Sequence, residues 1–326
     1  MSHGASGQGV DRLPHCRLSQ SATALGQNRT EVPIDDSART GFPDWQVNHI
    51  TVQLVAALFG QGAGVVFGHD WRDNGVMEAV HAFARNMQSS ISAGKQKEDQ
   101  LLCNVLPWPD EPKLTQTEQQ QLSSTLRIER AGLPTEVERY AAEANTNQQL
   151  YAYLRSRGLT HLRWRLSEMS EARLCLGGRM SSFQGRYPGI IEETLIAVHA
   201  KKPIFLVGLL GGATTQVIAA LRGEGPRGVF QTLPDVRAAY ERPPIPESDE
   251  RTHGDRTFNE AEVWESFRRV GIEGIAARNK LSVEENLELF QTPVFDRIVT
   301  LLLIGLARLR TNGTATTPLR PTLTSD

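Results

Sequence analysis

The residues that could do chemistry gather in one stretch, Ala172 to Gly212. A short apolar run at 172–176 stops at Gly177-Gly178, and a polar, basic loop runs from Arg179 to Tyr187. Pro188 then suits a first helical position, where its missing N–H costs nothing. Positions 190, 191, 194, 195, 197 and 198 fall on one helix face. A second buried run, Ile204–Val207, is closed by Gly208 and Gly211-Gly212. Strand, glycine loop, helix, strand and glycine loop make a βαβ unit. Its bare amides and helix N-terminus would lie at the carboxyl edge of a parallel sheet, where α/β folds bind anions and phosphates above all. Gly178, Gly185, Gly189, Gly211 and Gly212 are therefore candidate ligand contacts.

Charge supports that chemistry. Between His161 and Tyr187 lie five arginines and two glutamates, in a chain whose formal net charge is −2. Arg163 and Arg165 precede the strand, and Arg179 and Arg186 lie in the loop, all four placed to grip a phosphate. The same arginines also suit a solvated helix face. Glu192 and Glu193 fall in the first helical turn, off the apolar face, where the helix dipole favours carboxylates. A carboxylate there could equally reach ribose hydroxyls or act as acid or base on a glycosidic bond. Spacing leaves both open.

A second loop, Gly68 to Gly75, leaves the apolar run Ala63–Phe67. Gly68 lets backbone approach a ligand, Asp70 could take ribose hydroxyls, and Arg72 could pair with phosphate bidentately. A plain β–α turn capped by Asp73 or Asn74 reads equally well. The loop does not match the dinucleotide pattern Gly-x-Gly-x-x-Gly, and neither a Walker A loop nor a Gly-x-Ser-x-Gly elbow occurs. His49, His69, His81, His161 and His199 have no paired ligand spacing, so no metal site is expected.

The elements that must position these residues follow from periodicity. Strands are expected at 63–67, 101–106, 172–176 and 204–207, with short further runs at His15–Leu18 and Leu126–Ile128. Helices are expected at 44–59, about 74–87, 148–157, 159–169 (broken from the preceding one at Gly158), 214–221, 259–270, 282–290 and 294–309. Ser282 and Glu285 have capping-box spacing. Residues 115–121 read as a polar patch, and 243–254 as a linker or surface loop. Strands alternating with helices give an α/β class: a Rossmann-like, doubly wound parallel sheet flanked by helices, with extra C-terminal helices. Residues 1–13 and 311–326 read as disordered tails around a single domain at 14–310.

Composition bounds the partners. With 326 residues, 39% hydrophobic and 22% charged, there is ample chain for a buried core. The near-neutral charge provides no global field for nucleic acid or a membrane surface. Cys16, Cys103 and Cys175 lack metal spacing; two lie in or beside apolar runs and read as buried thiols. The N-terminus has no signal-peptide core, and Ile298–Leu306 is too short to span a bilayer, so the expected location is cytoplasmic. The same apolar run motivates an expectation of a homodimer or higher oligomer.

The segments GGR, GRYPGIIEE, KKPIFLVG and the later GG resemble the SLOG superfamily, which includes the "Lonely guy" phosphoribohydrolases and the lysine-decarboxylase-like proteins. VVFGHDWRDNGVMEA, NVLPWP and LSVEENLELFQT bring the resemblance closest to the branch associated with sirtuin and TIR domains in Thoeris-type antiviral defence. It covers roughly residues 45 to 308. The resemblance implies that Gly177 and Gly178 take the glycine pair of the phosphoribohydrolase signature, Gly189 the later glycine and Glu193 its glutamate. Arg163 or Arg165 takes the arginine, and Asn104 of NVLPWP joins the ligand contacts. Three departures tilt it away from hydrolysis: the intervening loop, Ile190 at the threonine position, and His69 where a second glycine stands. The resemblance thus implies a sensor of an NAD-derived nucleotide, ADP-ribose-like or cyclic, needing no cofactor and reporting to a separate effector protein. The alternatives are a nucleotide N-glycosidase with Glu193 and Arg165 as catalytic residues, and an interaction scaffold with a vestigial pocket.

Overall fold

The computed structural model describes residues 17–21, 44–61, 63–68, 76–88, 102–112, 114–123, 125–225, 230–246 and 258–313. Strands β1 (Arg17–Ser21), β2 (Gly64–Gly68), β3 (Leu102–Pro107), β4 (Leu126–Gly132), β5 (Ala172–Leu176) and β7 (Ile204–Val207) form one sheet in the order β4-β3-β2-β1-β5-β7. Every pairing in it is parallel. The order reverses at β1, so the crevice between the β1 and β5 ends is the switch point at which doubly wound sheets bind ligands. β6 (Ser181–Phe183) and β8 (Gln231–Thr232) pair separately. The Rossmann-like class is thus the observed one.

Helices cover both faces because β2, β3, β5 and β7 are buried on both sides. On one face, Val55 and Phe59 of α1 (Asp44–Gly60) and Val76, Met77 and Val80 of α2 (Val76–Gln88) pack on Val65 and Phe67. On the other, Leu162 and Leu166 of α5 (Gln148–Met169) pack on Val66, Cys103 and Val105. Alternation continues in β5. Ala172, Leu174 and Leu176 face α1 and α11 (Phe295–Gly313), while Cys175 faces α6 (Gly189–His199), α7 (Gly212–Leu221) and α9 (Glu260–Asn279). Between α2 and α5 lie α3 (Gln116–Gln121) and α4 (Thr135–Glu138); α8 (Pro234–Glu241) and α10 (Val283–Gln291) complete the described helices.

Several expectations change. α5 is one continuous helix. Gly158 does not break it; a Cβ there would sit 3.4 Å from the Trp108 carbonyl, so the missing side chain lets α5 seat against the turn after β3. The polar patch at 115–121 contains α3, started by a capping box between Thr115 and Glu118. α9 runs on to Asn279 through a kink at Gly271, whose φ is 62°. The Ser282–Glu285 box opens α10 as expected. α11 continues to Gly313, three residues into the expected tail, and residues 314–326 lie outside the described residues, as do 1–16. Ile298, Leu301, Leu302 and Leu306 are buried within the chain's own core. The apolar run that motivated an oligomer is therefore occupied by the fold itself. No helix among the described residues is long and apolar enough to cross a membrane.

Candidate functional site

The glycine turns after β5 and β7 meet at the carboxyl edge of the sheet. Gly177 and Gly178 have φ of 63° and 98°, and Gly211 and Gly212 have 66° and 63°. Gly178 O accepts from Ala213 N at 2.9 Å, and Gly177 O accepts from Thr214 N and Thr214 Oγ1, both at 2.9 Å. Two first-turn amides of α7 are thus taken by protein carbonyls, so this helix start ties the turns together. α6 differs. Among the described residues no side chain caps it, and the first of its amides with a described backbone bond is Glu192 N, to Pro188 O at 3.0 Å. The amides of Gly189, Ile190 and Ile191 precede that bond, the arrangement that receives anions.

Beneath this start lies a buried ionic cluster. Arg173, on the α6-facing side of β5, is 1% exposed, and its Nη1 donates to Glu193 Oε2 at 2.8 Å. Arg163 of α5 donates from Nη1 to Glu192 Oε2, and its Nε lies 3.9 Å from Glu193 Oε1. Thr160 Oγ1 donates to Glu192 Oε1 at 2.7 Å. Glu192 and Glu193 are each 5% exposed, which corrects the expectation that they stand off the buried face. They are inside because two guanidiniums meet them there, and a buried carboxylate needs such partners. Arg173 Nη2 is buried without an acceptor among the described residues, a polar defect of the kind found at functional sites. Lys202 donates to the Ser167 and Ser170 carbonyls beside it, and burial, then Arg173, lowers its pKa. Cys175 Sγ lies 3.3 Å from Thr194 Oγ1, and burial pushes the thiol up to about 11. A thiol so protonated is no nucleophile.

The basic cluster read from the sequence divides. Arg163 joins the carboxylates, its guanidinium against Gly185, where a Cβ would stand 2.6 Å from Arg163 Nη1. That close approach by itself gives a packing reason for the glycine. Arg165 is exposed and pairs with Glu168 at 2.6 Å, so Arg163 is the arginine beside Glu193. Arg186 lies over the Tyr187 ring at 4.9 Å, and Arg179 is half-buried in the β5–β6 loop. Arg165 and Arg186 instead line one cavity of about 470 Å³ on the outer flank of α5. Gly68 ends β2, where a Cβ would lie 3.1 Å from Leu166 Cδ1, so it seats α5. Asn104 is buried mid-strand in β3, donating to Phe67 O at 3.5 Å, with β2 and β1 between it and β5. Asp70 and Arg72 lie outside the described residues. Arg173, Glu192 as a buried partner and Thr160 were missed; of these Arg173 had a signal, a cation inside an apolar strand.

The fold class and this edge define a Rossmann-like protein with an uncapped helix start beside its glycine turns. The family model described as SLOG cluster2 matches residues 27–289, and the chain belongs to that family. Membership carries a nucleotide-related role, in binding or processing. No curated protein and no solved structure matches the chain.

Proposed function

We propose that the chain is a binding module that senses an NAD-derived nucleotide, ADP-ribose-like or cyclic, of the kind used in Thoeris-type antiviral signalling. The observation that supports this is the position of Glu193. A glutamate that protonates or activates a glycosidic bond must reach the substrate. Here the carboxylate is 5% exposed and fixed to the Arg173 guanidinium, which suits it to hold the helix start in place. The uncapped amides of α6 supply the phosphate contact. Signal leaves through a separate effector protein, with this chain acting as a homodimer or higher oligomer, an assembly that rests on the SLOG resemblance because the apolar run at 298–306 is buried in the chain's own core; a 36.0 kDa monomer in light scattering at micromolar concentration removes that last element.

The second reading, a nucleotide N-glycosidase, is favoured by Arg163, which lies 3.9 Å from Glu193 as an arginine–glutamate pair of the phosphoribohydrolase kind would. Incubation with nucleoside monophosphates and with NAD, followed by chromatography, separates the two. The sensor leaves each compound intact, and release of free base would establish the enzyme.

A further inference from the structure

We propose that the outer edge of β4 is an interface with a second copy of this chain. The two β4 strands run antiparallel about a twofold axis at Ile128 and join the two six-stranded sheets. This supplies an interface for the assembly named in the sensor reading, and it is carried by β4 itself rather than by any ligand contact. The two edges of the sheet differ. At β7 all four residues are buried, α10 packs along the strand, and Asn279 Nδ2 donates to Ile204 O at 2.8 Å. The fold thus covers that edge itself. At β4, beyond the ladder to β3, no hydrogen bond among the described residues engages the backbone of residues 127–132. Alternate residues of an edge strand turn N–H and C=O away from the sheet, where they template a further strand. Proteins discourage this with proline, with very short strands or with rows of lysine. β4 is seven residues long, has no proline, and carries charges of both signs.

The order of those charges selects the occupant. Leu126 and Ile128 face the cluster under α1 and α2, while Ala131 faces α5, so Arg127 and Glu129 lie together on the α5 side. Within one chain they pair, Arg127 Nη2 to Glu129 Oε1 at 2.7 Å, yet 40% and 31% of their side chains stay exposed. Arginine, isoleucine, glutamate, read about Ile128, is its own complement in the antiparallel sense. A second copy sets Arg127 opposite the partner's Glu129, and Glu129 opposite the partner's Arg127. Each opposite-charge pair across two strands is stabilising, and the twofold makes every contact twice. On the other face the half-buried Ile128 meets the partner's Ile128 and gains cover. Arg130, engaged by Glu111, falls opposite the partner's Leu126, so no like charges meet. The formal net charge of −2 adds little repulsion between copies.

The test is analytical ultracentrifugation of the full chain and of two charge reversals, each shown by its melt to be folded. The wild type is expected to sediment as a dimer. Arg127→Glu and Glu129→Arg each bring like charges opposite one another twice, and each should weaken self-association roughly ten- to a hundredfold. Mixed in equal amounts, the two variants should pair with each other as the wild type pairs with itself, because one brings two carboxylates and the other two guanidiniums to matching positions. The double variant Arg127→Glu with Glu129→Arg should also recover the dimer. A role confined to the ion pair within one chain would leave the mixture as weak as its parts. A wild type that stays monomeric at high micromolar concentration leaves the edge to another segment or another protein, and overturns the proposal. So do dimers that both reversals leave intact, and variants that do not recover on mixing. A dimer indifferent to both reversals keeps the assembly of the sensor reading, on another surface. A dimer that follows the charges in a chain that binds no ADP-ribose keeps this interface without the sensor.

Discussion

Glu193→Gln is expected to destabilise the fold by about 3–5 kcal/mol, although the side chain keeps its size. The substitution leaves Arg173, 1% exposed, as a buried cation without its counter-charge. In a chain of this length the loss corresponds to a fall in melting temperature of roughly 4–7 degrees. The pair, not the glutamate alone, sets the effect. Arg173→Met combined with Glu193→Leu should recover most of the loss, because apolar residues of similar volume replace a buried ion pair at little net cost. A single variant that melts with the wild type would show that the carboxylate is solvated, and would return it to the list of groups able to act on a substrate.

Gly212→Ala is expected to have the larger effect on folding, at least ~4 kcal/mol, read as loss of soluble protein or of a cooperative melt. A Cβ at Gly212 would lie 2.2 Å from the Gly178 carbonyl oxygen, a backbone atom that cannot swing aside. The clash would separate the two glycine turns and break the Ala213 and Thr214 bonds to Gly178 and Gly177. Gly223→Ala is the control. Its φ of 77° is equally unfavourable for alanine, yet nothing lies within 4 Å of the added carbon. It should cost about 1–2 kcal/mol, the backbone component alone. Equal losses at the two positions would mean that the turns do not meet as described.

These two sites also show how far the sequence could be read. The βαβ unit was legible because both strands and the intervening helix keep their periods, and the glycines mark where the chain leaves each strand. The meeting of the two turns was not. It depends on the φ values and on which carbonyl faces which amide, and a run of glycines permits these without specifying them. The arginines were read as one phosphate-gripping group because proximity in sequence was taken for proximity in space. Arg163 and Arg165 are two residues apart on a helix, so they point to different sides, one into the ionic cluster and one toward the outer cavity. Glu192 and Glu193 sit at the polar end of a helix, and only the partners brought by β5 and α5 make burial possible. Gly158 was misread for a related reason, since a glycine within a helical pattern marks either an end or a close approach, and only the turn at Trp108 decides. Two features were within reach: Thr115 and Glu118 have the spacing of a capping box, and Pro234 stands at the first position of α8.

The most direct test of the sensor assignment is calorimetric titration of the full chain with ADP-ribose, on protein shown by its melt to be folded. Saturable binding near one ligand per chain is expected, with the ligand recovered intact from the cell afterwards. Folded protein that gives no saturable heat at millimolar ADP-ribose, or that returns the ligand cleaved, would contradict it.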